Sequence, residues 1–458
     1  MKSPLNIFRL LLLLGFIYSA NAQQNPVFQK LRYDDDVTYL KDSAKNWYEK
    51  IKYIPLSQNS KYYASIGGEA RWQYTYTVND KWGDESDEGD GYLLSRYLLH
   101  ADAHLGAFRT FVELQSSLAN SKIDPSPVDE NQLDFHQAFL DIDFIKNENE
   151  RLTLRSGRQE MSYGSQRLIA VREGPNSRLA FDAVKLFYKK NNWQTDAFFT
   201  HPIANKPGTF NDRFNENAQF WGSYTVIHKV PFIQNIDLYY LGLWKSRAVF
   251  DDAIGEENRQ SIGTRIWKNK GNWKYDFEGL YQFGNINQKT ISAWTLSSFA
   301  CYTFENIKFS PEIGLKTEII SGDKNADDNH LQTFNPLYPR GAYFGLVALI
   351  GPSNLIDIHP SISLNLNEKL ALGFDYDIFW RQTLSDGIYA PNMQLLYSGK
   401  DTTERFIGSQ LISNLDYTAN NFLSFTLETG WFNAGSFLKE VGTGKDYYYA
   451  ALTAQFKF

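Results

Sequence analysis

From Tyr62 onward, apolar and polar residues alternate with a period of two, the repeat that sends successive side chains to opposite faces of a strand. Ala64, Ile66, Ala70, Trp72, Tyr74, Tyr76 and Val78 share one parity, while Ser65, Glu69, Arg71, Gln73, Thr75 and Thr77 share the other. Between Tyr92 and Leu105, the residues Tyr97, Leu99, Ala101, Ala103 and Leu105 oppose Arg96, His100, Asp102 and His104. Leu370, Leu372, Phe374, Tyr376, Ile378 and Trp380 alternate likewise with Asp375, Asp377 and Arg381. These segments commonly reach about ten residues, enough to cross a bilayer at a tilt. Many end in aromatic residues, as a lipid-facing wall with girdles at both interfaces requires.

The connections sort by length. Short turns are expected near Gly106 and at 146–150, 191–192, 230–235, 269–272, 305–307, 367–369 and 418–421. Between them lie longer polar stretches at 79–91, 119–132, 164–177, 201–217, 249–258, 321–353, 383–404 and 434–446, with 285–288 the one brief member. Such alternation marks an outer-membrane barrel with tight periplasmic turns and extended extracellular loops. The stretch 341–351 does not alternate and lies among Pro336, Pro339 and Pro352, so it belongs to a loop. The expectation is an all-β, transmembrane antiparallel barrel of about 18 strands over residues 62–458, an even count in the porin range. Its last strand ends on the aromatic Phe458.

Residues 1–22 read as a secretory signal: Lys2 and Arg9 precede the apolar run Leu10–Leu14, and Ala20-Asn21-Ala22 supplies small residues for cleavage. Residues 23–61 then form a periplasmic N-terminal segment, either a cover or a lead-in. The expected location is the outer membrane of a Gram-negative cell.

Composition narrows the classes further. The 458 residues carry 46 Lys+Arg against 52 Asp+Glu, a net charge of -6 that argues against general affinity for nucleic acid. No apolar run after the first 20 residues is long enough for a spanning helix. The lone Cys301 forms no internal disulfide and reads as a small packing residue.

Parity assigns Arg71, Arg96, Arg109, Arg155, Arg265, Arg381, Lys245 and Lys316 to the lumen, together with Glu69, Asp102, Glu113, Asp141, Asp143, Glu312, Glu318, Asp375, Asp377 and Glu428. An Arg or Lys on the lipid side costs roughly 2–4 kcal/mol at mid-membrane, so strand charge points inward whatever the function. Arg158 has the opposite parity to Arg155 and sits near the rim or on a bulge. Two arrangements fit these charges: a wall of mutually balancing ion pairs, or a positive constriction. Attraction between an arginine and a carboxylate about 4 Å apart is roughly 1 kcal/mol in bulk water and about 4 where the effective dielectric is near 20. Several such sites would replace the hydration a polyanion loses in a narrow passage, and interspersed carboxylates would keep binding weak enough to leave. Loop residues Arg167, Arg172, Arg178 and Arg340 are candidates to fold inward and narrow the mouth.

Several runs carry a family resemblance: Tyr92-Leu93-Leu94-Ser95-Arg96-Tyr97-Leu98-Leu99-His100-Ala101-Asp102, Gly157-Arg158-Gln159-Glu160-Met161-Ser162-Tyr163-Gly164 with Arg167-Leu168, Arg178 with Phe181-Asp182, and Thr333-Phe334-Asn335-Pro336-Leu337-Tyr338-Pro339. With them the chain resembles the bacterial outer-membrane alginate exporters, most specifically through the Gly-Arg-Gln-Glu block and its following Arg-Leu. The resemblance implies an 18-stranded monomeric barrel with an Arg-lined conduit for a uronate polysaccharide, and carries over Arg96, Arg158, Arg167 and Arg178 by motif. One departure concerns gating. Exporters of the well-known type plug the pore with a long late periplasmic turn, whereas 418–421 is minimal here.

Other chemistries find no support. HExxH, GxSxG, Walker A and CxxC patterns are missing from the sequence. His100, Asp102 and His104 share a lumen face without an identifiable further metal ligand, and the run from Asp323 lacks both the turn Gly and the terminal Glu of a calcium loop. The expected function is therefore a non-enzymatic pore without cofactor, passing a uronate polysaccharide passively and anion-selectively through Arg71, Arg96, Arg109, Arg155, Arg158, Arg167, Arg178 and Arg381. Uptake of anionic oligosaccharides or small anions is the alternative, and an outer-membrane hydrolase a remote one. Expected partners are the anionic saccharide, outer-membrane lipid and lipopolysaccharide, and periplasmic secretion proteins.

Overall fold

The computed structural model describes residues 28–41, 46–58, 62–85, 89–400 and 402–458. The proposed signal at 1–22 lies outside the described residues. Eighteen long antiparallel strands form the wall. They are β1 (Tyr63–Val78), β2 (Asp90–Leu105), β3 (Phe108–Asn120), β4 (Asn131–Lys146), β5 (Glu150–Gln159), β6 (Phe181–Lys190), β7 (Trp193–Ala204), β8 (Ala218–Val230) and β9 (Gln234–Val249). There follow β10 (Ile254–Lys268), β11 (Trp273–Ile286), β12 (Lys289–Thr303), β13 (Glu312–Ile320), β14 (Leu355–Asn367), β15 (Leu370–Arg381), β16 (Phe406–Thr418), β17 (Leu423–Ala434) and β18 (Tyr447–Lys457). Each pairs with its sequence neighbour, and β1 closes the ring by pairing with both β2 and β18: Tyr74 stands opposite Leu93 on one side and Leu452 on the other. The seam is completed by reciprocal backbone bonds between Gly68 and Phe458, at 2.9 and 3.0 Å. Closure satisfies every strand edge, the condition for a β structure in lipid.

The barrel is inside-out relative to a soluble protein. Leu99, Val184, Phe199, Ile262, Leu296 and Leu452 are exposed on the outer face, whereas Arg71, Arg96, Glu113, Arg155, Arg259 and Asp357 are buried toward the lumen. Stretch 341–351 is non-strand, inside the long loop between β13 and β14, as its lost alternation indicated.

The largest apolar cluster sits inside the barrel, where loops meet the wall. The loop between β5 and β6 and that between β13 and β14 fold inward. Ile169, Leu337, Tyr338, Tyr343 and Phe344 pack there with wall residues such as Phe181, Phe220, Phe379 and Phe432. The two loops also bond each other, Ala170 N–H to Tyr338 O at 3.0 Å and Tyr338 N–H to Leu168 O at 2.9 Å.

The N-terminal segment enters from the end of the barrel that carries the short turns, where Tyr48 packs on Phe422 at 4.9 Å. Tyr33 is buried between the rings of Phe139 and Phe111, at 5.3 and 6.0 Å, and its hydroxyl donates to Glu160 O at 2.9 Å. The short helix α1 (Trp47–Lys52) starts in a capping box between Asn46 and Glu49. Its last residue, Lys52, donates to Phe458 O at 2.9 Å.

Candidate constriction in the lumen

Three of the eight expected conduit arginines meet at one loop residue that parity could not locate, two at its carboxylate and one at its backbone carbonyl. Arg71 on β1, Arg96 on β2 and Arg178 at the end of the β5–β6 loop surround Glu173 of that loop. The Glu173 carboxylate is ion-paired to Arg96 and Arg178. Arg71 Nη1 donates to Glu173 O at 2.7 Å and its Nη2 to Pro175 O at 3.1 Å, while Arg96 Nη1 reaches Glu173 O at 3.2 Å. Glu69 takes Arg96 Nε and Nη2 at 2.9 and 2.7 Å. Glu160 takes Arg178 Nε and Nη2 at 2.6 and 3.1 Å. Asn176 staples the loop to the wall, its amide reaching the carbonyls of Ser95, Leu118 and Asp129 at 3.2, 3.1 and 2.9 Å.

The arginines are fully packed, but the Glu173 side chain is 42% exposed. Burial of this loop residue would raise its carboxyl pKa. Arg178, Arg96 and Arg71 outweigh that and hold the group well below the usual carboxylate range. Glu173 is therefore a bound anion supplied by the chain itself.

The loop separates two polar spaces. An external cavity of about 700 Å³ is lined by Gln73, Thr75, Thr77, Tyr92 and Lys122, with Gly174, Pro175 and Gly341 at its floor. On the periplasmic side a cavity of about 290 Å³ holds Lys30, Arg32, Glu69, His100, Glu173 and Arg178. The barrier between them is the short run from Glu173 to Pro175. A third space, about 460 Å³, opens between the N-terminal segment and the wall, lined by Arg155, Lys185, Asp196, Asp237 and Arg265 among others.

The remaining expected residues disperse. Arg109 bonds Asp102 at 2.9 and 2.8 Å and also donates to Tyr33 O. Arg155 bonds Asp141 at 2.7 and 2.8 Å, sandwiched by Phe139 at 3.9 Å and Tyr33 at 4.2 Å. Arg167 is inside the barrel, as the loop expectation had it, held by Glu318 at 2.9 Å and by Tyr343 and Glu278. Two assignments need correction. Arg158 follows the outward parity of Leu154 and Ser156 and pairs with Asp182 at 2.9 Å, so it braces the outer rim. Arg381 points inward but is consumed by the β15–β16 loop, donating to the carbonyls of Leu384, Asp386, Thr402 and Glu404. Because that loop wraps it completely, Arg381 organises backbone and lines no passage.

Sequence reasoning missed Glu173, Glu160, Arg32 and Tyr33. Arg32 is bonded to Glu113 and, at 3.0 Å, to Glu160. None lies on an alternating strand; the signals were the place of Glu160 in the Gly-Arg-Gln-Glu block and Gly174-Pro175 after Glu173, a tight bend in a long loop. Within the trio His100, Asp102 and His104, Asp102 is bonded to both Arg109 and His104, and His104 stacks on Tyr63 at 4.4 Å.

Solved structures share the architecture. A BenF-like porin from Pseudomonas fluorescens Pf-5 superposes with TM-score 0.58 at 11% identity, over 86% of this chain and 98% of that one. Pseudomonas aeruginosa OccK3 (OpdO) gives 0.56 at 10%, over 86% and 95%. OccK2 (OpdF) of the same species, solved in complex with glucuronate, gives 0.55 at 11%, over 86% and 98%. At such identity the likeness is one of fold. None of the curated proteins matches the chain significantly. The family model for alginate export matches residues 62–450, most of the chain and almost the whole wall. This porin-type outer-membrane barrel belongs to the alginate export family.

Proposed function

We propose that this pore passes anionic, uronate-containing saccharides, and that Glu173 occupies the seat of the cargo's carboxylate. The observation carrying this reading is the convergence of Arg96 and Arg178 on one half-exposed carboxylate, with Arg71 on the same residue's backbone carbonyl, in the thin partition between two polar cavities. A uronate entering from either side meets the same guanidinium groups and exchanges with Glu173, an anion-for-anion swap that needs no stripping of bare arginines. Glu69 and Glu160 stay bound behind Arg96 and Arg178, which limits the net positive charge and keeps affinity low enough for release. Membership in the alginate export family supports a uronate polymer as cargo and outward passage.

The passage is closed here by two inward segments, the Glu173–Pro175 run and the N-terminal segment anchored by Arg32 and Tyr33. The late turn 419–422 is short, so these inward segments take the place of a periplasmic plug. Planar-bilayer recording tests the reading: anion-selective conductance, blocked by mannuronate or guluronate oligomers and weakened in Arg71→Gln and Arg96→Gln. A cation-selective wild-type pore indifferent to uronates overturns it.

A second reading, uptake of anionic oligosaccharides, is favoured by the separate cavities, each suited to a short saccharide better than to a continuous chain. Deleting the gene distinguishes the two: periplasmic accumulation of polymer supports export, and lost growth on oligouronates supports uptake.

A further inference from the structure

Away from the constriction, the inner face of β13, β14 and β15 gathers Lys316, Glu318, Asp357, His359, Asp375 and Asp377 in facing positions. Glu318 takes both nearby cations, Arg167 at 2.9 Å and Lys316 at 3.0 Å. That leaves three aspartates on β14 and β15 with His359 between them. Among the described residues, neither carboxylate oxygen of Asp357 accepts a hydrogen bond and this 0% exposed side chain takes part in no ion pair, while buried Asp377 meets only His359. Buried carboxylates are almost always satisfied by a donor, a proton or a metal ion.

His359 is placed for the last of these. Its Nε2 lies 2.9 Å from Asp375 Oδ1, and its Nδ1 lies 2.6 Å from Asp377 Oδ1. With the proton on Nε2 donated to Asp375, the Nδ1 lone pair faces Asp357 and Asp377, the carboxylate–histidine–metal arrangement. One oxygen of each aspartate and a ring nitrogen all fall within 4.8 Å of one another. Zinc bonds of roughly 2.0–2.2 Å put neighbouring donors about 3.4 Å apart, so the His359–Asp377 pair, now at 2.6 Å, has to open by about 0.8 Å. The other buried trio of this kind among the described residues, Glu113, His136 and Glu160, is already filled by the guanidinium groups of Arg32 and Arg178.

We propose that Asp357, His359 and Asp377 hold a divalent transition-metal ion of the zinc class, with Asp375 orienting the histidine from behind. An imidazole among carboxylates favours zinc over calcium or magnesium, which prefer all-oxygen sets. The ion cross-links β14 to β15 below the β13–β14 loop, whose Tyr343 and Phe344 rings cover the Lys316 ammonium at 4.8 and 4.7 Å.

The test uses untagged full-length protein folded in detergent, stripped with a chelator, and exposed separately to zinc, calcium and magnesium. Metal retained after gel filtration is measured by mass spectrometry, and cobalt substitution gives a visible ligand-field spectrum that reports nitrogen coordination. About one zinc per chain is expected, with little calcium retained. Asp357→Asn with Asp377→Asn should abolish binding, and Asp375→Asn should weaken it about 10- to 100-fold. If the double variant fails to fold, Asp375→Asn decides, since it leaves all three ligands in place. Sub-stoichiometric zinc, a preference for calcium, or zinc retention unchanged in the Asp375→Asn variant each overturns the site, the last as adventitious binding elsewhere.

Discussion

Arg96 on the barrel wall and Glu173 on the inward loop form an ion pair with one partner sealed and the other open: the guanidinium is wholly buried, the carboxylate half-exposed to the lumen. The asymmetry fixes which partner can be exchanged. Arg96 is also held by Glu69 from the neighbouring strand, whereas, among the described residues, the Glu173 carboxylate is held only by Arg96 and Arg178 and faces open space.

Glu173→Gln removes the resident anion and keeps the loop's backbone contacts. If each permeating ion feels that charge at about 1 kcal/mol, the anion gains about fivefold and the cation loses about fivefold, so the anion-to-cation permeability ratio rises about thirtyfold. Reversal potentials across a salt gradient measure it, and an unchanged ratio would show that Glu173 is not in the ion path.

Arg96→Ala leaves Glu69 buried without its counter-ion. Breaking a buried pair in this way costs about 3–5 kcal/mol. Urea unfolding of the protein in detergent or lipid should show that loss, and Glu69→Gln in the same background should recover part of it.

Arg32→Ala acts at the other closure. It unpairs the buried Glu113 and frees the segment carrying Tyr33, so stability should again fall by about 3–5 kcal/mol. Because the Glu173 partition still closes the passage, single-channel conductance should rise in the Arg32→Ala, Glu173→Gln double variant beyond that of Glu173→Gln alone.

The external loops carry a pH dependence. Burial, then the neighbouring Asp252, pushes the Asp323 carboxyl up to about 8, and burial pushes Asp386 up to about 6 although Thr333 and Tyr389 donate to it. Both values lie above the ordinary 3.8. The folded loops therefore bind more protons than the unfolded chain, so this contact is strongest below about pH 4 and weakens as pH rises through about 6 and about 8. Hydrogen exchange across 321–334 and 383–390, corrected for intrinsic rates, should accelerate between about pH 5 and about pH 9. Asp323→Asn should flatten most of the change.

On the outer wall, Leu99→Arg near the middle of β2 should cost about 2–4 kcal/mol in folding into lipid vesicles. A cost near zero would mean that this face does not meet hydrocarbon.

Legibility divided along the chain by mechanism. Alternation located Arg71, Arg96, Arg109 and Arg155 on the inner wall because each strand residue's face follows from its parity alone. It also flagged Arg158 as discordant, and the outward pair with Asp182 is the reason. It could not foresee that the β15–β16 loop would wrap Arg381, because loop backbone has no period to read. Glu173 and Arg32 were invisible for the same reason, although their partners Arg96 and Glu113 were in plain view.

What the sequence determined by itself was the wall: the strand count, the side each residue faces and the alternation of short and long connections. Those properties follow from a two-residue repeat and the cost of charge in hydrocarbon, both local to each segment. What the tertiary structure decided was the interior. Arg32 meets Glu113 across 81 residues and Arg167 meets Tyr343 across 176. Whether such groups form an open positive channel or a self-neutralised partition depends on loops folding back through the ring, a long-range competition between desolvation and pairing that no local pattern encodes.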